Sequence, residues 1–140
     1  MDDTPLSDQF PVINGEVMGT DKLLFGEKHL VVKKPWGSYT DYLRRDSVVF
    51  KTIRVNPNQR LSLQSHKHRS EMWSVIEGEC TCVLDGVTTT LKVGENILIP
   101  KGAKHRMANY GEKDCVVAEM QFGICWEDDI IRYEDDYSRK

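Results

Sequence analysis

Short runs rich in Val, Ile, Thr and Tyr recur along the chain from residue 29 onward, each closed by turn-forming residues. Strands are expected near 29–33, 38–44, 47–55, 60–66, 71–77, 79–84, 87–92, 96–99, 105–109 and 114–123. Asp85-Gly86 between TCVL and VTTTL marks a tight hairpin, because both central positions of such a turn need positive φ. Asn56-Pro57-Asn58 and Glu77-Gly78 are further turns. A chain that reverses this often has no room for long helices, and strands at this spacing close into a sandwich or a small barrel. The one stretch read as a short helical turn is 127–133.

Strand parity then places chemistry. In LSLQSHKHRSEMW, residues 62, 64, 66 and 68 share one face if the strand is continuous, so Gln64 and His66 point the same way. Glu71 opens the next strand, and His105 follows a later turn. Two imidazole nitrogens and two oxygen donors are enough to close round one divalent ion. The donors are spaced Q-x-H-x4-E-x6-G, ending at Gly78, and G-x5-P-x-G-x2-H-x3-N, from Gly94 through Pro100, Gly102 and His105 to Asn109.

These two patterns resemble the paired motifs of the cupins, with glutamine in place of the usual first histidine. The resemblance implies an all-β cupin fold, a double-stranded β-helix or jelly-roll barrel. It also implies one divalent metal on Gln64, His66, Glu71 and His105. Zinc stands first among the candidates, followed by manganese, cobalt, iron and nickel, and a set with one carboxylate does not choose between them.

The flanking segments are more specific. KPWGSY at 34–39, RLSLQSHKHRSEMW at 60–73, IPKGAKHR at 99–106 and EDDIIRYEDDYSR at 127–139 resemble the type II mannose-6-phosphate isomerase domain. That domain often forms the C-terminal part of a bifunctional mannose-1-phosphate guanylyltransferase. Ser65, Lys67 and Met72 depart from its usual Q-M-H-H-H-R-A-E-H-W run, and Asn58 stands where its turn glycine falls. The Gly-rich nucleotide-binding segment of the guanylyltransferase is absent, so that activity is not expected. The resemblance implies metal-dependent interconversion of mannose 6-phosphate and fructose 6-phosphate through an enediolate. The alternatives are a related sugar-phosphate or nucleotide-sugar isomerase or epimerase, a non-catalytic metal cupin that binds sugar phosphate, and an iron dioxygenase.

If Glu71 is committed to the metal, another group must move the proton. In CVVAEMQFG, residues 115, 117, 119 and 121 share a face, which makes Glu119 a candidate base and Gln121 a substrate contact. Lys51 alternates with Ile53 and Val55 and is placed with the catalytic set, holding phosphate or transferring a proton; the alternative is a lysine reaching out at the barrel mouth. Arg60 joins that set as the grip on the phosphate. Arg106 is a second phosphate candidate, although its parity points it away from His105, and His68 is read as a rim or substrate contact. Trp36 and Tyr39 are expected to pack the barrel wall. The tail residues Arg132, Asp135, Asp136 and Tyr137 match the family segment, and whether they touch substrate stays open.

The chain divides into an N-terminal arm at 1–28, a barrel at 29–126 and an acidic tail at 127–140 packed on the barrel. A net charge of −3 gives no basic field for nucleic acid or an anionic membrane. No apolar run approaches membrane-span length, and the acidic start MDDTPLSDQF lacks the apolar core of a signal peptide. Cys80, Cys82, Cys115 and Cys125 form no C-x-x-C pair, and the first two share a strand face, so buried free thiols are expected. Together these point to a cytoplasmic protein acting on a small sugar phosphate. By resemblance, a homodimer is expected.

Overall fold

The computed structural model describes residues 12–13, 16–17 and 30–139, and every regular element among them is a strand. Within the N-terminal arm, β1 (Val12–Ile13) and β2 (Glu16–Val17) form a two-stranded antiparallel ladder; the rest of that arm lies outside the described residues.

The larger unit spans residues 31–140. Its strands are β3 (Leu30–Lys34), β4 (Gly37–Arg44), β5 (Val48–Val55), β6 (Gln59–Arg60), β7 (Leu63–Ser65), β8 (Arg69–Glu77), β9 (Glu79–Leu84), β10 (Val87–Lys92), β11 (Asn96–Ile99), β12 (His105–Asn109), β13 (Cys115–Gly123) and β14 (Ile131–Glu134). They build two six-stranded sheets. One runs β10-β9-β12-β7-β14, with β6 also on β12; the other runs β11-β8-β13-β5-β4-β3. Apart from the hairpin neighbours β9-β10 and the run β3-β4-β5, strands adjacent in each sheet are distant in sequence, which is the winding of a jelly roll. The hairpin at 85–86 forms as expected, with Asp85 at φ 46° and Gly86 at φ 83°.

The inner faces follow the alternation of the sequence. Residues 49, 51, 53 and 55 are buried on β5, and 69, 71, 73 and 75 on β8. Along these strands the inward residues change character. Val55 lies beside Cys115, and Val117 lies between Ile53 and Val75. The next inner row across the same sheet reads Asp41, Lys51, Glu119, Trp73, and the row beyond it Val49, Gln121, Glu71, Ile99. The barrel interior is therefore apolar at one end and ionisable at the other. At the apolar end Trp36, Trp73, Met107 and the thiols of Cys80, Cys82 and Cys115 pack in one cluster. All four cysteines are buried and free.

Two local readings give way to tertiary pairing. The strand expected at 60–66 is broken at Leu61 and Ser62 into β6 and β7. The helical turn expected at 127–133 is instead a turn at Glu127–Asp128 followed by β14, which pairs antiparallel with β7. The open backbone edge of β7 supplies hydrogen-bond partners that a lone turn of acidic helix lacks.

Candidate metal centre

The ionisable end of the barrel converges on three side chains. The ligand atoms of His66, Glu71 and His105 lie within 4.8 Å of one another, and all three residues are at most 3% exposed. His66 Nε2 is 3.3 Å from one Glu71 carboxylate oxygen, and His105 Nε2 is 3.7 Å from the other. Each imidazole is turned by a backbone carbonyl. His66 Nδ1 donates to Asp129 O at 2.7 Å, and His105 Nδ1 to Ala103 O at 2.9 Å, so both Nε2 lone pairs face the centre.

Backbone register explains why these residues meet. His105 on β12 lies directly opposite Gln64 on β7, and Gln64 lies opposite Arg132 on β14. Opposed residues of an antiparallel pair share a face, so His105, Gln64 and Arg132 form one inward row. The Pro100–Gly102 loop is tied in by Gly102 N–H to the His66 carbonyl at 2.8 Å. Gly123 lies at φ +116°, and a Cβ there would strike the carbonyl of His68; this close approach seats the end of β13 beside the turn that follows His66.

The donor chemistry fits a divalent ion. Burial and the neighbouring Arg69 guanidinium push His66 down to about 4, and burial lowers His105 as well, so both rings are neutral ligands at neutral pH. Glu71 supplies one negative charge. The Gln64 amide nitrogen donates to Ser62 O at 3.4 Å, which leaves its carbonyl oxygen as a neutral oxygen donor on the cavity wall.

A cavity open to solvent at its mouth lies over this group. Gln64, Lys51, Glu119 and Gln121 line it with the three clustered residues. Burial and the nearby Glu71 carboxylate push Glu119 up to about 7. Gln121 donates to Glu119 at 2.8 Å, and its own amide oxygen is buried with no partner. Lys51 Nζ sits 4.6 Å from the Tyr39 ring centroid, 3.4 Å from Glu127 and 3.7 Å from Asp41. Trp36 and Tyr39 belong to the packed wall and also line the cavity.

Three expected contacts are not in the cavity wall. Arg60 makes a two-bond ion pair with Asp136, at 2.8 and 3.0 Å. Arg106 points outward, as its parity requires, and donates to Leu61 O and the Glu134 carboxylate. His68 follows the bend that ends β7, so the parity inherited from His66 no longer holds, and its ring packs edge-on against Trp126. The sequence reading also passed over Arg69. This buried residue donates to Glu71 Oε2 at 3.0 Å, and its Nη2 lies 3.1 Å from His66 Nε2. Counting back two residues from Glu71 would have placed it inward.

The winding and the inward metal-type cluster define a cupin. Solved structures agree at the level of the fold. The capsular polysaccharide assembling protein CapF of Staphylococcus aureus superposes with a TM-score of 0.67 at 20% identity, covering 79% of this chain and 33% of that one. An RmlC-like cupin of Shewanella frigidimarina gives 0.65 at 19% identity, covering 80% and 98%.

Sequence comparison is more specific. The family described as "Mannose-6-phosphate isomerase C-terminal" matches residues 22–135, and the chain belongs to that family. The alginate biosynthesis protein AlgA of Pseudomonas aeruginosa is 40% identical over 114 residues, which is 81% of this chain and 24% of AlgA. The mannose-1-phosphate guanylyltransferase of Escherichia coli is 38% identical over 112 residues, which is 79% of this chain and 23% of that enzyme. The chain thus spans about a quarter of the length of these relatives. No helix among the described residues is long and apolar enough to cross a membrane.

Proposed function

We propose that this chain is a metal-dependent mannose-6-phosphate isomerase, interconverting mannose 6-phosphate and fructose 6-phosphate through an enediolate. The observation that carries the proposal is a buried His66–Glu71–His105 cluster at the floor of an open cavity in a chain of this family. Gln64, His66, Glu71 and His105 would hold the ion, which supplies charge stabilisation for the sugar oxygens when bound.

The remaining work falls to side chains. Glu119 takes the proton from the carbon beside the carbonyl and returns it to the neighbouring carbon. It is buried, faces the cavity, and has a neutral partner in Gln121. Gln121 holds it in place and offers its unpartnered oxygen to a sugar hydroxyl. Lys51, in register with Glu119, contributes positive charge beside the developing enediolate. The cavity wall carries five cations against three carboxylates in a chain of net charge −3, a bias that suits an anionic sugar.

The test is a coupled assay with mannose 6-phosphate on protein of measured metal content, with and without chelator. Turnover that chelator abolishes and added zinc, manganese or cobalt restores is expected. Glu119→Gln should keep its metal and lose about 10²- to 10⁴-fold in kcat. Metal-loaded wild-type protein that forms no fructose 6-phosphate refutes the proposal.

A further inference from the structure

A phosphate monoester carries close to two negative charges at neutral pH and several acceptor oxygens, so its seat needs donors not already committed to carboxylates. Arg60 and Arg106 are spent outside the cavity. Within it, Arg69 is paired with Glu71, and Lys51 lies between Asp41 and Glu127. Three cations of the wall remain: Lys34 at the end of β3, and Arg132 and Arg139 in the tail.

They differ in how they are held. Asp135, whose side chain is 0% exposed, grips Arg139 through Nε at 2.9 Å and Nη2 at 3.1 Å. That fork is fixed in place, with Nη1 left over. Arg132 has no carboxylate within 4.0 Å among the described residues, and its Nη1 donates only to the Arg139 carbonyl, at 3.4 Å. Its Nε is buried without an acceptor. A buried donor left unmade costs about 1–3 kcal/mol, and here it lies on a wall open to ligand. Arg132 is also the cross-strand neighbour of Gln64, which itself lies opposite His105, so Arg132 stands two strands from His105 on the same inward row.

We infer that Arg132, backed by Arg139 and Lys34, is the seat of the substrate's phosphate and sets selectivity for the phosphorylated sugar. Strand β14 brings it there, and the Asp135–Arg139 pair keeps the tail in the posture that presents it. This inference rests on the isomerase proposal for its substrate class, and it is read independently of turnover.

The experiment titrates mannose 6-phosphate and mannose into the metal-loaded full chain by calorimetry. Wild type should prefer the phosphorylated sugar by at least about 100-fold, the worth of one or two charge-assisted bonds. Arg132→Met should erase most of that preference at unchanged metal content and thermal midpoint. Arg132→Lys should not restore it, because a point charge lacks the planar fork. Arg54→Ala, on the exposed outer face, should leave the preference unchanged. Independently of any variant, mannose 6-phosphate but not mannose should protect Arg132 from phenylglyoxal, as read by peptide mass spectrometry. Unchanged preference in both Arg132→Met and Arg139→Met, or failure of the protection, overturns the seat. Arg132-dependent binding without turnover in wild type refutes the isomerase and leaves the seat standing. Turnover with unchanged KM in both variants does the reverse.

Discussion

Replacing Asn109 tests whether the last residue of the second motif is a structural staple between the two sheets. Asn109 is 1% exposed at the end of β12. Its amide nitrogen donates to Val55 O on β5 in the opposite sheet and to Lys113 O, both at 2.8 Å. Its amide oxygen accepts the Gly111 N–H at 2.9 Å. Asn109→Leu keeps much of the volume and removes all three bonds. At about 1 kcal/mol each the loss is about 3 kcal/mol, rising toward about 6 kcal/mol if the freed carbonyls stay dry. For a chain of this size, about 3 kcal/mol lowers the melting midpoint by roughly 10 °C. Asn109→Asp should be no better, since it keeps the acceptor but sets a carboxylate against two carbonyls. Urea denaturation gives the free-energy difference, and equal m-values would show that the unfolded reference is unchanged. Metal stoichiometry should stay at the wild-type value, because three residues of strand separate Asn109 from His105. A loss below about 1 kcal/mol in both variants would refute the staple.

Two further outcomes are expected. His66→Ala and His105→Ala should each weaken metal binding by more than about 100-fold, measured by competition with a chromophoric chelator; full occupancy in both would dismiss the cluster as a metal centre. The Arg139 guanidinium and nearby backbone N–H groups hold the buried Asp135 below the ordinary aspartate value. A depressed folded value means this pair stabilises the fold above the unfolded aspartate value and ceases to as pH falls through the folded one. Asp135→Asn should flatten that acid limb of the stability curve, and an unchanged limb would remove the pair from the account.

The sequence shows local order well and distant pairing poorly. The spans of β9, β10, β11 and β12 follow from alternation and turn chemistry, and Asn58 takes the positive φ that its place in the turn demands, at 60°. Parity also brings Glu119, Gln121 and Lys51 to the cavity wall beside the clustered His66, Glu71 and His105. It fails once the chain bends. His68 loses the phase of His66 across two residues of bend, and Arg69 already carries the phase of Glu71. The tail lies beyond local reasoning, because β14 takes its register from β7, more than sixty residues away. Arg132 matches the family segment in IIRYEDD, but only the filling of that edge makes it a cavity residue. Arg60 and Arg106, the two arginines read from the sequence as phosphate grips, instead anchor the acidic tail through Asp136 and Glu134.

The Asp129 clamp joins two events that look separate. One residue of the tail accepts the Nδ1 proton of His66 on its carbonyl, while its carboxylate takes the Lys67 and His68 N–H groups at 3.1 and 2.8 Å. If the tail peels away, the imidazole loses the contact that fixes its tautomer, and the bend that aims it loses its tether. For the proposed metal centre, detachment of the tail and release of the ion would then be a single transition. A proteolytic cut in the exposed stretch at 126–128 would disarm the site from its rim, with every ligand still present in the chain.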